Sequence, residues 1–279
     1  MKPAPFVYYS AERAADALHL LAEHGDEARI LAGGQSLVPI LNMRLTRPAV
    51  LIDISRCAEL RQVRDGVEQM VIGAAVTQSE LEHHARTPQR LPLLAQALPH
   101  LAHVQIRNRG TVCGSLAHAD PSAELPLCLV ALGGEVVLAS AARRRRVAAA
   151  DFFTGMLSTS RRVDEMVLEA CFPWAVPSAG YAFAEIAPRA GDYAVVAVAA
   201  CARADGLRLA AGGVADRPRA IDWPALHGAA LDDALNEFAW SLDASDDAQA
   251  SAKQRRHLVR RLGVEVIASA RRAAGLGAA

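Results

Sequence analysis

The sequence predicts an α+β protein made of two differently built parts. Within the first 55 residues the signals alternate in the order β-α-β-α-β, which is typical of a small α/β unit with a partly parallel sheet. Beyond residue 180, three strand-like runs precede a helical region, which indicates a separate α+β module. Proline, serine and glycine cluster between residues 173 and 180. We therefore predict a first domain over 1–176, with subdomains of about 1–55 and 56–176, and a second domain over 177–279.

The first subdomain opens with a short apolar and aromatic run over 6–9, followed by an amphipathic helix. Ser10 has the side chain of an N-cap, and apolar residues recur with helical spacing over 11–24. Gly25 can end this helix in a left-handed conformation. The remaining predicted elements are a strand over 28–32, a short helix over 37–45 with Pro39 in its first turn, and a strand over 50–54.

The second subdomain mixes hairpins and helices. A strand pair is expected around the Asp65-Gly66 turn, and Thr77 with Glu80 forms a capping-box pattern that predicts a helix over 78–85. The other expectations are a helix over 91–101, a glycine-interrupted polar loop or strand over 111–117, a helix over 121–132 opened by Asp120-Pro121, and strands over 135–138 and 166–172.

In the second domain, which covers the last hundred residues, the predicted strands come first and the predicted helices follow. Strands are predicted over 181–186, 195–202 and 207–214, and the turn Asp205-Gly206 predicts a hairpin between the last two. From residue 225 the chain is predicted to be helical, ending in a long amphipathic helix over about 248–274.

Composition and charge exclude several classes of protein. The chain of 279 residues is 52% hydrophobic and 22% charged, and its 30 basic residues balance its 30 acidic ones, so no overall field favours nucleic acid or an anionic membrane. Aromatic residues make up 5%, which is few for a surface that stacks nucleic-acid bases. No segment reaches the roughly 20 apolar residues that a membrane span needs.

The five cysteines do not have the pattern of a metal or iron–sulfur site. Their number is odd and no two form a C-x-x-C pair, whereas such sites usually show clustered thiols. The histidines at 83, 84, 100 and 103 lack supporting ligands at metal-binding spacing. We therefore expect no metal on this chain, and reduced, mostly buried cysteines in a cytoplasmic protein whose N-terminus lacks the apolar stretch of a signal peptide.

The first glycine loop, Ala32-Gly33-Gly34-Gln35-Ser36, follows a predicted strand and precedes a helix. Adjacent glycines let the backbone approach a ligand and turn its N–H groups outward, and Ser36 adds a hydroxyl donor. This combination suits a pyrophosphate, although it is neither a Walker A loop nor a G-x-G-x-x-G fingerprint. Taken alone, the loop is a weak signal, and an ordinary turn is the favoured interpretation.

The second glycine loop, residues 107–115, again offers small residues, hydroxyls and backbone donors. Asp120 and Glu124 follow it, and an acidic group there could accept hydrogen bonds from a ribose or ribityl hydroxyl. The alternative is that Asp120 only caps the helix that Pro121 opens, and both interpretations could hold together.

Taken together, the two loops resemble those of a known family, the medium, flavin-binding subunits of the xanthine dehydrogenase and carbon monoxide dehydrogenase group. The resemblance runs nearly end to end. The residues that carry it are 32–37, 106–111 and 114–126, with Asp151-Phe152-Phe153-Thr154-Gly155 and Asp192-Tyr193-Ala194-Val195-Val196.

The resemblance implies an FAD-binding domain of the vanillyl-alcohol-oxidase (PCMH) type in two subdomains, followed by a C-terminal α+β domain like that of the carbon monoxide dehydrogenase flavoprotein. The first loop would wrap the FAD diphosphate, the second would close on it, Asp120 and Glu124 would lie near the sugar and ribityl hydroxyls, and Leu168 and Tyr193 would lie near the flavin. The implied cofactor-binding residues are Ala32, Gly33, Gly34, Gln35, Ser36, Leu37, Thr111, Val112, Cys113, Gly114, Ser115, Ala117, Asp120, Glu124, Leu168 and Tyr193.

One departure from the family pattern lies in the second loop. The family usually has two consecutive glycines where this chain has Cys113-Gly114. Cysteine carries a Cβ and does not freely take a positive φ, so either FAD binding is loosened or position 113 never needs a positive φ. A redox role for Cys113 is the less favoured reading of this substitution.

The family's organisation implies that this chain acts within a larger complex. A large subunit would hold the molybdenum cofactor and oxidise the organic substrate, and a small subunit would hold two [2Fe–2S] clusters, in a dimer of heterotrimers. The FAD of this chain would pass electrons from the nearer cluster to NAD, a quinone, a cytochrome or oxygen. The alternatives are a stand-alone flavin oxidase or reductase of the same fold, and a non-catalytic subunit that has lost FAD.

Two arginine-rich features are given no functional role. The run Arg143 to Arg146 is interpreted as a solvated turn or a contact to an acidic partner. The arginine pairs at 255–256, 260–261 and 271–272 are interpreted as the polar stripe of the last helix.

Overall fold

The computed structural model describes residues 2–276, and residues 2–55 form the predicted parallel unit. Its elements are β1 (Val7–Ser10), α1 (Ala14–His24), β2 (Ala28–Leu31), α2 (Leu37–Asn42) and β3 (Val50–Asp53). The three strands pair in the order β1-β3-β2, all parallel, because each return passes through a helix. Gly25 ends α1 with a φ of 53°, which confirms its role as a helix terminator.

The predicted N-cap at Ser10 is wrong. Ser10 is the last residue of β1, and the next N–H, that of Ala11, still donates to Asp53 O at 2.9 Å, so the chain stays extended beyond the strand. The helix begins only at Ala14, whose N–H donates to the Glu59 carboxylate instead of to a local cap. A side chain 45 positions away thus satisfies an N–H group that a local N-cap usually satisfies.

The second sheet contains five antiparallel strands in the order β4-β5-β10-β6-β7. The elements of this region, in chain order, are β4 (Val63–Asp65), β5 (Gln69–Gly73), α3 (Gln78–Glu82), α4 (Thr87–Arg90), α5 (Pro92–Ala97), α6 (Val104–Arg107), α7 (Val112–His118), α8 (Glu124–Leu132), β6 (Glu135–Ala139), β7 (Arg144–Ala148), α9 (Ala149–Phe152), β8 (Phe153–Gly155), β9 (Ser158–Thr159) and β10 (Met166–Pro173). Short 3-10 turns occur at Gly25–Glu27, Ala58–Leu60 and Leu98–His100. The Asp65-Gly66 strand pair and the Thr77–Glu80 capping box are confirmed.

The prediction of a loop or strand over 111–117 is wrong, because this segment forms helix α7. Thr111 caps the helix: its Oγ1 accepts a hydrogen bond from Gly114 N at 3.0 Å. Val112, Cys113 and Leu116 are buried at helical spacing, which packs one face of α7 against the sheet. The low helix propensity of Gly114 made this segment look non-helical in the sequence.

The start of α8 also differs from the prediction. The helix begins at Glu124 rather than at Pro121, and Ala123 occupies its N-cap position. Asp120 therefore does not cap α8; its Oδ1 accepts a hydrogen bond from Ser122 N at 2.9 Å and closes a local turn.

The C-terminal part consists of a four-stranded antiparallel sheet covered by two helices. It contains β11 (Gly180–Ile186), β12 (Val196–Ala202), β13 (Gly206–Gly212), β14 (Arg219–Pro224), α10 (Gly228–Ser241) and α11 (Ala252–Ala273), with the strands paired in sequence order. The Asp205-Gly206 hairpin is confirmed. Strand β14 was not predicted; it is an edge strand in which exposed residues alternate with half-buried ones and none is fully buried, so its apolar pattern is weak.

Several arginines of the two arginine-rich features make specific contacts that were not predicted. Arg144 to Arg146 belong to the edge strand β7, where Arg145 pairs with the buried carboxylate of Glu165 at 2.7 Å. Arg255 and Arg271 are buried, which corrects their placement on a polar stripe. The guanidinium of Arg255 satisfies the carbonyls of Val195 and Gly213, so this side chain ties α11 to the ends of two strands.

Candidate functional site: a cavity between the two glycine loops

A cavity of about 610 Å³ lies where the two glycine loops meet the segment around Tyr193. Its walls also include β2, β10 and the start of α8. The predicted site residues that line it are Ala32, Gly33, Gly34, Gln35, Ser36, Leu37, Thr111, Cys113, Gly114, Ser115, Ala117, Glu124 and Tyr193. Volumes of about 300–1,000 Å³ are typical of pockets that hold small molecules and cofactors.

The first loop presents its backbone to this cavity. Gly34 has a φ of 73°, a conformation that other residues rarely adopt. Within the described residues, no acceptor takes a hydrogen bond from the N–H groups of Gly34, Gln35 or Ser36. Consecutive N–H donors of this kind form an anion-binding concavity.

The two loops are in direct backbone contact. A Cβ built on Gly33 would lie 2.1 Å from Arg109 O and 2.7 Å from Gly110 Cα. Only glycine at position 33 therefore permits this approach. The second loop is itself anchored to α3, because Gln78 N donates to Gly110 O at 2.8 Å.

Cys113 has helical backbone geometry, so position 113 does not need a positive φ. Its residue is only 2% exposed, and its thiol donates to Ile72 O at a distance of 3.5 Å. Burial raises the pKa of this thiol far above its usual range. The side chain is thus a packed, protonated thiol, and the substitution of glycine by cysteine does not distort the loop.

Glu124 and Tyr193 are the titratable groups that stand out on the cavity wall. Glu124 is 5% exposed, and burial, reinforced by the negative charges of Glu185 and Asp120, raises its pKa to about 8. Tyr193 is 50% exposed; partial desolvation, with the charges of Asp120 and Glu124, raises its pKa to about 12. Near neutral pH both groups are protonated and can donate as well as accept hydrogen bonds.

Three predicted residues do not line the cavity. Val112 is buried in the core on the inner face of α7. Asp120 is half-buried outside the cavity lining, and its negative charge raises the pKa of both Glu124 and Tyr193. Leu168 is buried in β10, where its neighbours Met166 and Val167 reach the cavity instead.

Sequence reasoning missed the cationic end of the cavity. Arg29 on β2 and Arg161 before β10 both line it, although 132 positions separate them, and neither belongs to a motif. Arg161 donates to Glu165 O at 2.7 Å, and burial followed by the charge of Arg29 lowers the pKa of its guanidinium. Two cations in one pocket favour an anionic or aromatic ligand.

Other types of site are absent from the part of the chain that the structure describes. Residues 2–276 contain no group of three or more His, Cys, Asp or Glu side chains placed to hold a metal ion. No helix within the same residues is both long and apolar enough to cross a membrane.

The fold and cavity define a protein in which two glycine loops meet at one cavity large enough for a cofactor. The profile of the family described as "FAD binding domain in molybdopterin dehydrogenase" matches residues 4–175. Over 276 residues the chain is 37% identical to the nicotine 6-hydroxylase medium subunit of Paenarthrobacter nicotinovorans, covering 94% of this chain and 96% of that subunit. The chain therefore belongs to the family of FAD-binding medium subunits of molybdenum hydroxylases, which are oxidoreductases.

Two further comparisons extend this finding. Over 195 residues the chain is 42% identical to subunit alpha of the 6-hydroxypseudooxynicotine dehydrogenase complex of Paenarthrobacter nicotinovorans; the match covers 70% of this chain and 66%, slightly less than two thirds, of that subunit. A solved structure of carbon monoxide dehydrogenase from Hydrogenophaga pseudoflava superimposes with a TM-score of 0.92 at 30% identity, covering 97% of this chain and 98% of that one. The predicted fold class, family and FAD cofactor are thereby confirmed.

Proposed function

We propose that this chain is the electron-transfer subunit of a molybdenum hydroxylase complex and binds FAD in the cavity between its two glycine loops. The observation that supports this most strongly is the direct contact of Gly33 with the Arg109-Gly110 backbone, which brings both loops to one cavity. In a chain of this family, such a cradle fits the FAD diphosphate.

Different residues of the cavity would bind different parts of the cofactor. The N–H groups of Gly34 to Ser36 and the Thr111–Ser115 segment would hold the diphosphate. Glu124, together with the nearby Asp120, would bind sugar or ribityl hydroxyls, since a buried carboxyl group needs hydrogen-bonding partners. Tyr193 and the region of Leu168, through its neighbours Met166 and Val167, would border the flavin ring.

Bound FAD would supply one- and two-electron redox chemistry, which the protein positions and tunes. We further propose that electrons arrive from [2Fe–2S] clusters on a small subunit, after a large molybdenum-cofactor subunit has oxidised the organic substrate. The acceptor would be NAD, a quinone, a cytochrome or oxygen, and the complex a dimer of heterotrimers. Relatives named as medium or alpha subunits of complexes support this organisation.

Two lesser proposals concern the chain as a whole. The division into 1–176 and 177–279 remains a proposal, supported by the separate four-stranded sheet that begins at Gly180. A cytoplasmic location is supported by five buried cysteines, none of them in a disulfide within the described residues.

The first test is an absorption spectrum of the purified chain before and after addition of FAD. Retention of a flavin band near ~450 nm after gel filtration would support the cofactor site. Absence of the band, both as purified and after FAD is added to the chain in its complex, would refute it. Co-purification with molybdenum- and iron-containing subunits would support the complex, whereas flavin reduction by an organic substrate without any partner would favour a stand-alone oxidase.

A further inference from the structure

Arg161 is a charged residue of the cavity wall that the proposed cofactor contacts above do not use. It is half-buried and lines the same cavity as the two glycine loops. Burial, followed by the like charge of Arg29, lowers the pKa of its guanidinium, so the two cations lie close enough to repel each other. A repulsion of this kind is destabilising unless a ligand offsets it.

Within residues 2–276, no carboxylate forms an ion pair with Arg161 or Arg29. Arg161 Nη1 donates to Glu165 O at 2.7 Å and to Arg162 O at 3.0 Å, and the hydrogen bonds of Arg29 likewise go to backbone carbonyls. The carboxylate of Glu165 forms its ion pair with Arg145 instead, at 2.7 Å. Both positive charges therefore remain available to a ligand in the cavity.

The guanidinium of Arg161 is anchored on one side and accessible on the other. Its Nη1 is held by the two carbonyl oxygens, whereas Nε and Nη2 form no hydrogen bond within the described residues and neither atom is shielded from solvent. A planar cation of this kind can place its face, or its remaining N–H groups, against an aromatic ring.

The direction of β2 separates the two arginines from Tyr193. Arg29 lies near the start of this strand, and Gly33 follows its end, roughly 13 Å further along at about 3.3 Å per residue. Ser36, the last residue of the first glycine loop, lies close enough to Tyr193 to lower the pKa of its hydroxyl. The first glycine loop therefore lies between the arginines and Tyr193.

This order of residues matches the order of groups in FAD, which has a diphosphate in the middle, a flavin at one end and an adenine at the other. When the diphosphate binds at the glycine loops and the flavin at Tyr193, the adenine lies at Arg161. Adenine is uncharged, but its ring face attracts a guanidinium.

We propose that Arg161, with Arg29 beside it, is a further cofactor-binding residue whose guanidinium packs against the adenine ring of FAD and favours FAD over FMN. This inference rests on the proposed FAD site and changes one detail of it. Met166 and Val167 follow Glu165, which Arg161 contacts, so they would border the adenine rather than the flavin ring.

The test compares Arg161→Leu and Arg161→Lys with the unaltered full chain and with Arg162→Leu, which replaces an exposed arginine outside the cavity. Calorimetric titration of each chain in its FAD-free complex would give the Kd for FAD, ADP and FMN. We expect Arg161→Leu to bind FAD and ADP about fivefold to thirtyfold more weakly, the range of a partly desolvated cation–π contact. Arg161→Lys, which keeps the charge but loses the planar group, should lose less affinity, and Arg162→Leu none.

The affinity for FMN separates adenine binding from a merely structural role. Arg161→Leu also removes two hydrogen bonds to carbonyl oxygens, so this variant should unfold at a lower temperature without FAD. A loosened cavity would bind ADP and FMN more weakly alike, whereas the loss of an adenine contact leaves the Kd for FMN unchanged. Equal losses for ADP and FMN would therefore overturn the inference.

Two other results would overturn it as well. A loss of affinity for FMN alone would place the flavin ring, and not the adenine, at Arg161. Unchanged binding of FAD and ADP by Arg161→Leu would show that Arg161 does not contact the cofactor, while leaving the FAD site intact. If the unaltered chain binds no FAD even in its complex, the proposed function fails instead.

Discussion

Replacing Gly33 with alanine tests whether the two glycine loops must touch for the cofactor to bind. The new Cβ would lie 2.1 Å from Arg109 O, whereas an ordinary contact is at least 3.4 Å. The difference between the two distances means that one loop must retreat by about 1.3 Å. A hydrogen bond of about 2.9 Å that lengthens by more than ~1 Å is effectively lost.

The expected loss of affinity follows from the donors on the displaced loop. Each hydrogen bond to a charged group contributes about 1.5–3 kcal/mol, so losing one would weaken FAD binding by about tenfold to a hundredfold. Overpacking of the loop contact should also cost about 1–3 kcal/mol of the free energy of unfolding. FAD titration and thermal unfolding of the Gly33→Ala variant would measure the two effects separately.

Gly228→Ala provides a matched control. A Cβ at Gly228 would have no atom within 4 Å, but its φ of 53° makes any other residue strained. This variant should lose about 1–2 kcal/mol of stability and keep its affinity for FAD. If Gly33→Ala binds FAD as tightly as the unaltered chain does, the direct contact of the two loops is not required and the reasoning from it is refuted.

Three further changes test other parts of the structure. The pKa of Glu124 is raised to about 8 in the folded chain. Between the ordinary pKa of a glutamate and this value, the folded chain holds a proton that the unfolded chain has released. The free energy of unfolding should therefore fall as the pH rises towards 8. Glu124→Gln should unfold at the same temperature as the unaltered chain at pH ~5 and at a higher one at pH ~9, and equal temperatures at both would count against the raised pKa. Cys113 should resist alkylation in the native chain, because burial keeps its thiol protonated; rapid labelling seen by mass spectrometry would contradict this. Arg255→Ala should lower the free energy of unfolding by about 2–6 kcal/mol, because it leaves two buried carbonyls unpaired at about 1–3 kcal/mol each. Replacement of the exposed Arg260 by alanine should have little effect, and similar urea midpoints for the two variants would argue against that role for Arg255.

Features that depend on near neighbours could be predicted from the sequence. The Thr77–Glu80 capping box, the terminator at Gly25 and the hairpin at Asp205-Gly206 each depend on only a few consecutive residues, and the structure contains all three. The parallel order of the first three strands also followed, since a strand–helix–strand unit returns in the same direction.

Features that depend on distant partners could not be predicted. The start of α1 is set by Glu59, a residue 45 positions from the N–H that it binds, and no local cap signals it. Helix α7 forms in spite of Gly114 because burial of its apolar face against the sheet outweighs the low helix propensity of glycine. Cys113, which raised a doubt about the second loop, faces the core rather than straining the backbone.

In the candidate site, too, contiguous motifs could be predicted from the sequence, whereas contacts between distant residues could not. The sequence by itself determined the two glycine loops, the acidic residues after the second loop and the family, because all of these are contiguous motifs. Only the tertiary structure decided that Gly33 contacts the Arg109-Gly110 backbone and that Arg29 and Arg161 line the same cavity as the two glycine loops. These relations join residues far apart in the chain, and the packing of separate elements fixes them, so no local pattern records them.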